Sequence, residues 1–137
     1  MSKDCIFCKI IKGEIPSSKI YEDATTFAFL DISPVNVGHS LVIPKEHYVN
    51  IYETPEEIIS DMMKTVKKIS HAIKDGLNAD GINVNMNNDP AAGQVVFHSH
   101  IHVIPRIAND GFRPWHGQRE YLEGEKEVVV DKITRAL

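Results

Sequence analysis

Three histidines stand at alternate positions in a stretch that otherwise reads as a core strand. Residues 94–106 run QVVFHSHIHVIPR, with His98, His100 and His102 separated by Ser99 and Ile101. Successive side chains of a strand leave opposite faces, so the three imidazoles share one face and Ser99, Ile101 and Val103 share the other. A buried polar group without a partner is costly. Each histidine of the row therefore needs polar partners that an apolar residue would not. Seven histidines in a chain with no basic tract and no low-complexity segment make the row harder to dismiss as chance.

The rest of the chain supplies a frame for such a strand. Ile6 to Lys12 is short and apolar and is closed by Gly13 and Pro16, which suits a helix of one or two turns. Lys19 to Glu22 and Thr26 to Leu30 are rich in β-branched and aromatic residues and read as a hairpin, broken after Leu30 by Asp31-Ile32-Ser33-Pro34. His39 to Pro44 is a third strand. A long helix begins at Thr54, where Thr54 as N-cap, Pro55 at the first helical position and Glu57 form a capping box. Ile58, Ile59, Met62, Met63, Val66, Ile69 and Ile73 recur on its apolar stripe, and Gly76 is the expected stop. The period then switches to two, with Ile82, Val84 and Met86 facing one way and Asn83, Asn85 and Asn87 the other. Residues 88–93 read as a turn before the histidine strand, and Val129, Ile133, Ala136 and Leu137 mark a C-terminal helix.

Five short strands and one long helix predict an α+β domain built on an antiparallel sheet. At 137 residues, with no repeat, linker or composition shift, residues 1–137 are expected to form one domain that needs no metal merely to fold. The balance of 15 Lys and Arg against 19 Asp and Glu, without a block of like charge, argues against a nucleic-acid groove. No apolar run approaches the roughly 20 residues of a membrane span. The amino-terminal segment MSKDCIFCKI carries no export signal, so a reducing cytoplasm is expected, where a C-x-x-C pair is a metal or redox pair before it is a disulfide.

Two chemistries fit the histidine row. All three imidazoles on one metal is difficult, because His98 and His102 lie about 13 Å apart along a straight strand. The alternative is a graded site whose central imidazole is a nucleophile, since an unperturbed imidazole is largely neutral near pH 7. Gly93, just upstream, would let backbone N–H groups approach an anion, although a plain hairpin turn explains it as well. Cys5 and Cys8 supply half of a tetrahedral zinc site, and histidines such as His47 and His98 would have to complete it.

The row HSHIHVI, residues 98–104, resembles the signature of the histidine triad family, His-φ-His-φ-His-φ-φ with φ apolar; Ser99 departs from it. The resemblance extends over residues 5–23, 27–47 and 87–106 in the family's order, and is strongest to the bacterial, Hint-like branch of small nucleotide hydrolases and transferases. It implies a HIT-like fold and a nucleotidyl hydrolase acting on a purine nucleotide. In that reading His100 attacks the α-phosphorus of a nucleoside phosphoramidate, dinucleoside polyphosphate or related ester, and water then releases the mononucleotide from a covalent nucleotidyl-histidine. His102, Asn87, Gly93 and Gln94 match phosphate-side positions, and Val95 stands where many relatives carry a serine. Phe7, Phe29, Asp31 and Ile32 match the nucleoside pocket, with Asp31 on the ribose hydroxyls. Core packing of the two rings, and capping of the turn at Ser33-Pro34 by Asp31, are the competing readings.

The resemblance also implies a structural zinc held by Cys5, Cys8, His47 and His98, with His39 as a reserve ligand and no metal needed for the chemical step. It implies a homodimer, which would give Met62 and Met63 a use, and a variable tail over residues 107–137 in which Trp115 shapes leaving-group specificity. Two other functions compete: a nucleotide-binding regulatory or scaffold protein with incidental turnover, and a metallohydrolase with all three histidines as ligands.

Overall fold

The computed structural model of the chain describes residues 4–137; the first three residues of the segment read for an export signal lie outside the described residues. Helix α1 spans Ile6–Ile11, and its first turn is capped by the Cys5 Sγ, which accepts the Cys8 N–H at 3.5 Å. Strands β1 (Lys19–Glu22) and β2 (Thr26–Leu30) form the expected hairpin. Its turn is tied by the Asp23 carboxylate, which accepts the N–H groups of Thr25 and Thr26 and the hydroxyls of Tyr21 and Thr26. These bonds outweigh the desolvation of Asp23 and hold its carboxyl down at about 2. Then follow β3 (Ser40–Pro44), α2 (Glu56–Leu77), β4 (Gly81–Asn85), a single 3₁₀ turn at Pro90–Ala92, β5 (Ile101–Arg106) and α3 (Glu125–Ala136).

The five strands make one sheet in the order β1-β2-β3-β5-β4, and every neighbouring pair is antiparallel. Period-two patterning sorts its two faces. Ala28, Val42, Ile101 and Val103 face α2 and pack on Met62, Val66, Ile69 and Ile73. Phe27, Phe29, Leu41 and Ile43 face the other way and pack on Phe7 and Ile10 of α1. Burying a Leu- or Ile-sized side chain contributes about 1.5–3 kcal/mol, so both layers rest on ordinary apolar packing. His102 pairs with Leu41 and therefore lies on the α1 side.

Several local expectations are corrected. The histidine strand begins at Ile101 and not at Gln94, so only His102 of the row belongs to β5. Pro44 has no N–H to extend the β3–β5 ladder, and its carbonyl accepts the His98 Nε2–H at 2.8 Å instead. Thr54 caps nothing: Pro55 occupies the N-cap without a side-chain bond, and the buried Thr54 hydroxyl is engaged with Asn50 and Ser99. Helix α2 runs one residue past Gly76 and closes on Asn78 in the left-handed conformation, φ 54°. Gly38 is the glycine the fold depends on there, with φ +96° and the Leu77 side chain packed where a Cβ would stand. Met62 is core and Met63 is half-exposed. Val84 is half-exposed because β4 is an edge strand, and α3 buries none of its side chains.

Candidate active site

Between α1, the sheet and the 93–96 loop lies a cavity of about 310 Å³. Of the residues expected around a nucleotide, Phe7, Phe29, Asp31, Ile32, Asn87, Gly93, Val95, His100 and His102 line it. Gln94 does not. Its buried amide donates to the carbonyls of Val49 and Val96 and accepts the Asp89 N–H, tying the loop to its surroundings. The N–H groups of Ala92, Gly93 and Gln94 are likewise spent on Asp89 and Pro90 within the turn. Gly93 is needed for its φ of +91°, which closes the 3₁₀ turn. Phe7 and Phe29 meet edge-to-face at 5.4 Å and serve core and cavity at once. Asp31 does the same double duty, with Oδ1 accepting the Ser33 N–H at 2.8 Å and Oδ2 3.6 Å from the His39 Nε2. Sequence reasoning missed Ile6, Ile10, Leu41 and Val96. The i, i+4 spacing of Ile6 and Ile10 around Phe7 was the available signal.

The protonation of each imidazole follows from what its other nitrogen touches. The His100 Nδ1 is 2.6 Å from the His98 carbonyl, which only accepts, so Nδ1 carries the proton and the Nε2 lone pair is left to the cavity. The His39 Nδ1 accepts the Val35 N–H at 3.0 Å, so a neutral His39 carries its proton on Nε2 and donates it to the His102 Nδ1 at 2.9 Å. His102 is then left with an Nε2–H, a donor, on the cavity side. Burial holds all of these rings neutral. It lowers His102 to about 4, with help from the neighbouring His100 and His39. It also lowers His39 and His100, against the pull of Asp31 on both and of the His98 carbonyl on His100. One lone pair and one donor thus face the same cavity from adjacent rings 5.1 Å apart.

Beside this cavity the four expected metal ligands converge. Cys5, Cys8, His47 and His98 place their ligand atoms within 4.8 Å of one another. The Cys5 Sγ lies 3.4 Å and the Cys8 Sγ 3.6 Å from the His98 Nδ1, the Cys8 Sγ 3.4 Å from the His47 Nδ1, and the two Nδ1 atoms 3.2 Å apart. A zinc tetrahedron with Zn–S of about 2.3 Å and Zn–N of about 2.05 Å has S···N edges of roughly 3.6 Å and N···N edges of roughly 3.3 Å. The residues fit zinc. The outer nitrogen of His98 donates to Pro44, which turns the Nδ1 lone pair inward as a ligand requires. Burial lowers His98 to about 4 in the protein without metal, keeping that lone pair unprotonated. His39, the reserve ligand, is not in this cluster; it belongs to the His102 chain.

A family model described as "HIT domain" matches residues 12–109. The chain is 48% identical over 140 residues to the adenylylsulfatase HINT3 of Arabidopsis thaliana, covering 100% of this chain and 71% of that protein. It is 47% identical over 106 residues to the adenosine 5'-monophosphoramidase HNT1 of Candida albicans, covering 74% and 70%. The crystal structure of a zinc-bound histidine triad family protein from Mycobacterium smegmatis superposes with a TM-score of 0.78 at 36% identity, covering 98% of each chain.

Proposed function

Because the chain belongs to the HIT domain family, we propose that it is a nucleotide hydrolase in which His100 is the nucleophile toward the α-phosphorus of a purine nucleoside phosphoramidate or related nucleotide ester. One observation carries the reading: the His98 carbonyl accepts the Nδ1–H of His100, so the only free lone pair of that buried, neutral ring points into the cavity. Attack forms a P–Nε2 bond and expels the leaving group with the electrons of its bond to phosphorus. Water then breaks the P–N bond and releases the mononucleotide, so a difficult displacement becomes two easier ones. Charge on the nonbridging oxygens is met by the His102 Nε2–H. The amides of Val95 and Val96 assist, since they make no protein hydrogen bond among the described residues and belong to cavity-lining positions. They would serve where relatives have a serine hydroxyl in place of Val95.

Apolar Phe7, Ile10 and Phe29 would enclose the base, and Asp31 the ribose hydroxyls. Zinc on Cys5, Cys8, His47 and His98 would act structurally, fixing the segment that carries His98; the chemical step needs no metal. The relatives described as an adenylylsulfatase and a monophosphoramidase support the reaction class, and the zinc-bound neighbour supports the metal. With this reading go a cytoplasmic location and a homodimer. The latter is supported by the unpaired outer edge of β4 and by half-exposed Val84 and Met63 in the α2 layer. Among the described residues no helix is long and apolar enough to cross a membrane.

Hydrolysis of adenosine 5'-monophosphoramidate by the wild type and by His100→Ala is the test. Turnover should fall by at least about 10³-fold, as for loss of an activated nucleophile. A variant that turns over at the wild-type rate would return the protein to the regulatory, nucleotide-binding alternative.

A further inference from the structure

Two departures from expectation meet at one point. Ser99 stands where the triad signature calls for an apolar residue, and Thr54 withholds its hydroxyl from the helix end it was expected to cap. Both side chains are buried, and their hydroxyls lie 3.1 Å apart across 45 residues of chain. The Thr54 Oγ is also 2.7 Å from the Asn50 carbonyl. The Thr54 hydroxyl is the donor in both contacts, sharing its proton between the nearer Asn50 carbonyl and the Ser99 Oγ. One hydroxyl thus ties the Asn50 carbonyl to the Ser99 side chain.

Its position relative to the nucleophile gives the pair a role. The peptide group between His98 and Ser99 is planar. Its N–H is held by the Tyr48 carbonyl at 2.6 Å, and its C=O accepts the Nδ1–H of His100 at 2.6 Å. No strand ladder steadies this stretch, because β5 begins only at Ile101. The plane could still swivel about the line of its two hydrogen bonds, which would tilt the carbonyl and the His100 ring with it. The Ser99 side chain leaves the backbone next to that plane, on the side opposite the histidines, and its bond to Thr54 removes the swivel. An apolar residue would fill the same space without fixing a direction.

We propose that Ser99 and Thr54 are positioning residues, a hydroxyl pair that orients the His98–Ser99 peptide and, through its carbonyl, the attacking nitrogen of His100. The kinetic half of this rests on the reading of His100 as nucleophile; the orientation of the ring does not. Ser99→Ala is expected to lower kcat about 10-fold with KM within about twofold, since a modest misplacement of a reacting group acts on the transition state more than on binding. Thr54→Val, which keeps the shape, should match it, and Thr54→Ser, which keeps the hydroxyl, should restore kcat to within about twofold. The double variant Ser99→Ala/Thr54→Val should be no slower than about twice the worse single one, because one device is removed once.

The second readout is the imidazole Nδ1–H proton of His100 in ¹⁵N-edited NMR of the zinc-loaded protein. Its downfield resonance should shift or broaden in Ser99→Ala and in Thr54→Val and stay in place in Thr54→Ser, with zinc content unchanged in all three. If both resonance and kcat are unaltered in Ser99→Ala, or if the losses of the single variants multiply in the double one, the proposal is wrong. Should His100→Ala prove fully active, the proposed function fails, and the resonance alone still decides whether the pair orients the ring.

Discussion

Among the described residues two clusters bring together side chains of types that ligate metals, and they have opposite characters. Cys5, Cys8, His47 and His98 form one; Asp31, His39 and His102 form the other, and in each the ligand atoms fall within 4.8 Å of one another. Distance does not separate them, but the outer nitrogens of the histidines do. His98 donates its outer Nε2–H to the Pro44 carbonyl, so a lone pair turns inward to meet two sulfurs and a second imidazole. His39 accepts the Val35 N–H on its outer Nδ1, so a proton turns inward and is handed to His102. The first cluster gathers electron pairs and calls for a cation. The second is a closed chain of hydrogen bonds that ends in a donor aimed at the cavity. A backbone carbonyl in one place and a backbone N–H in the other decide between metal site and proton chain.

The cysteine cluster carries the largest expected effect. Metal analysis of the purified protein should give one zinc per chain, and Cys5→Ser/Cys8→Ser should give none. Structural zinc contributes apparent binding energies of about 10 kcal/mol or more in small domains, and each kcal/mol moves the melting temperature of a chain this size by about 3 °C. The double variant should therefore melt lower by roughly 30 °C. A wild type offered several equivalents of zinc should still retain one, because His39 presents a proton at the second cluster. A second equivalent, lost in His39→Gln, would show that the proton does not protect that site.

His39→Gln sharpens the other half of the contrast. It deletes the donor to the His102 Nδ1 and frees His102 to adopt either tautomer, so the cavity loses a fixed donor. A hydrogen bond of this kind is worth about 1 kcal/mol net, and kcat should fall between about fivefold and tenfold with KM nearly unchanged. Zinc content should stay at one per chain. A variant that loses zinc and keeps its kcat would exchange the roles of the two clusters.

Much of this arrangement was legible in the sequence, for reasons that also mark where legibility ends. Period-two and period-3.6 patterns are local, so the hairpin, the third strand and the stripe Met62, Val66, Ile69, Ile73 were readable from neighbours alone. The C-x-x-C pair and the histidine row carried their chemistry in residue type. What could not be read was the identity of each imidazole's second partner, because Val35 and Pro44 act through backbone groups that every sequence contains. Thr54 misled for a related reason: its hydroxyl had two suitors, the α2 end beside it and Ser99 far along the chain, and only the fold brings the second within reach. The strand was overextended upstream of Ile101 because nothing in residues 94–100 reveals that Pro44, across the sheet, has no N–H to pair with them. The apolar spacing of α3 predicted its helix correctly, but spacing cannot say how deeply a stripe is covered, and none of the α3 side chains is fully buried among the described residues.

The smallest effect is the response of the proton chain to acid. His102 has a folded pKa of about 4, lowered chiefly by burial and further by His100 and His39, against an unfolded value of about 6.5. His39 is lowered by burial as well, with Asp31 pulling the other way. Between those two values the unfolded chain binds more protons than the folded one, so stability rises with pH across the window. The contribution is complete above about pH 6.5 and is lost as the pH falls toward 4. Chemical denaturation at intervals from pH 7 to 4.5 should show a steady decline in unfolding free energy. In His102→Gln that decline should be shallower, because one of the rings that must stay neutral is gone. His102 is partly exposed, so water screens the penalty and the difference between the two slopes will be modest. The zinc cluster answers acid differently: protons compete there with a cation for thiolates and the His98 Nδ1, and lowering the free zinc concentration should move its transition to higher pH. The His102-dependent part of the slope should be indifferent to zinc concentration. If it moves with zinc, the two clusters are coupled through the intervening His100, and the boundary between metal site and proton chain is not where the hydrogen bonds put it.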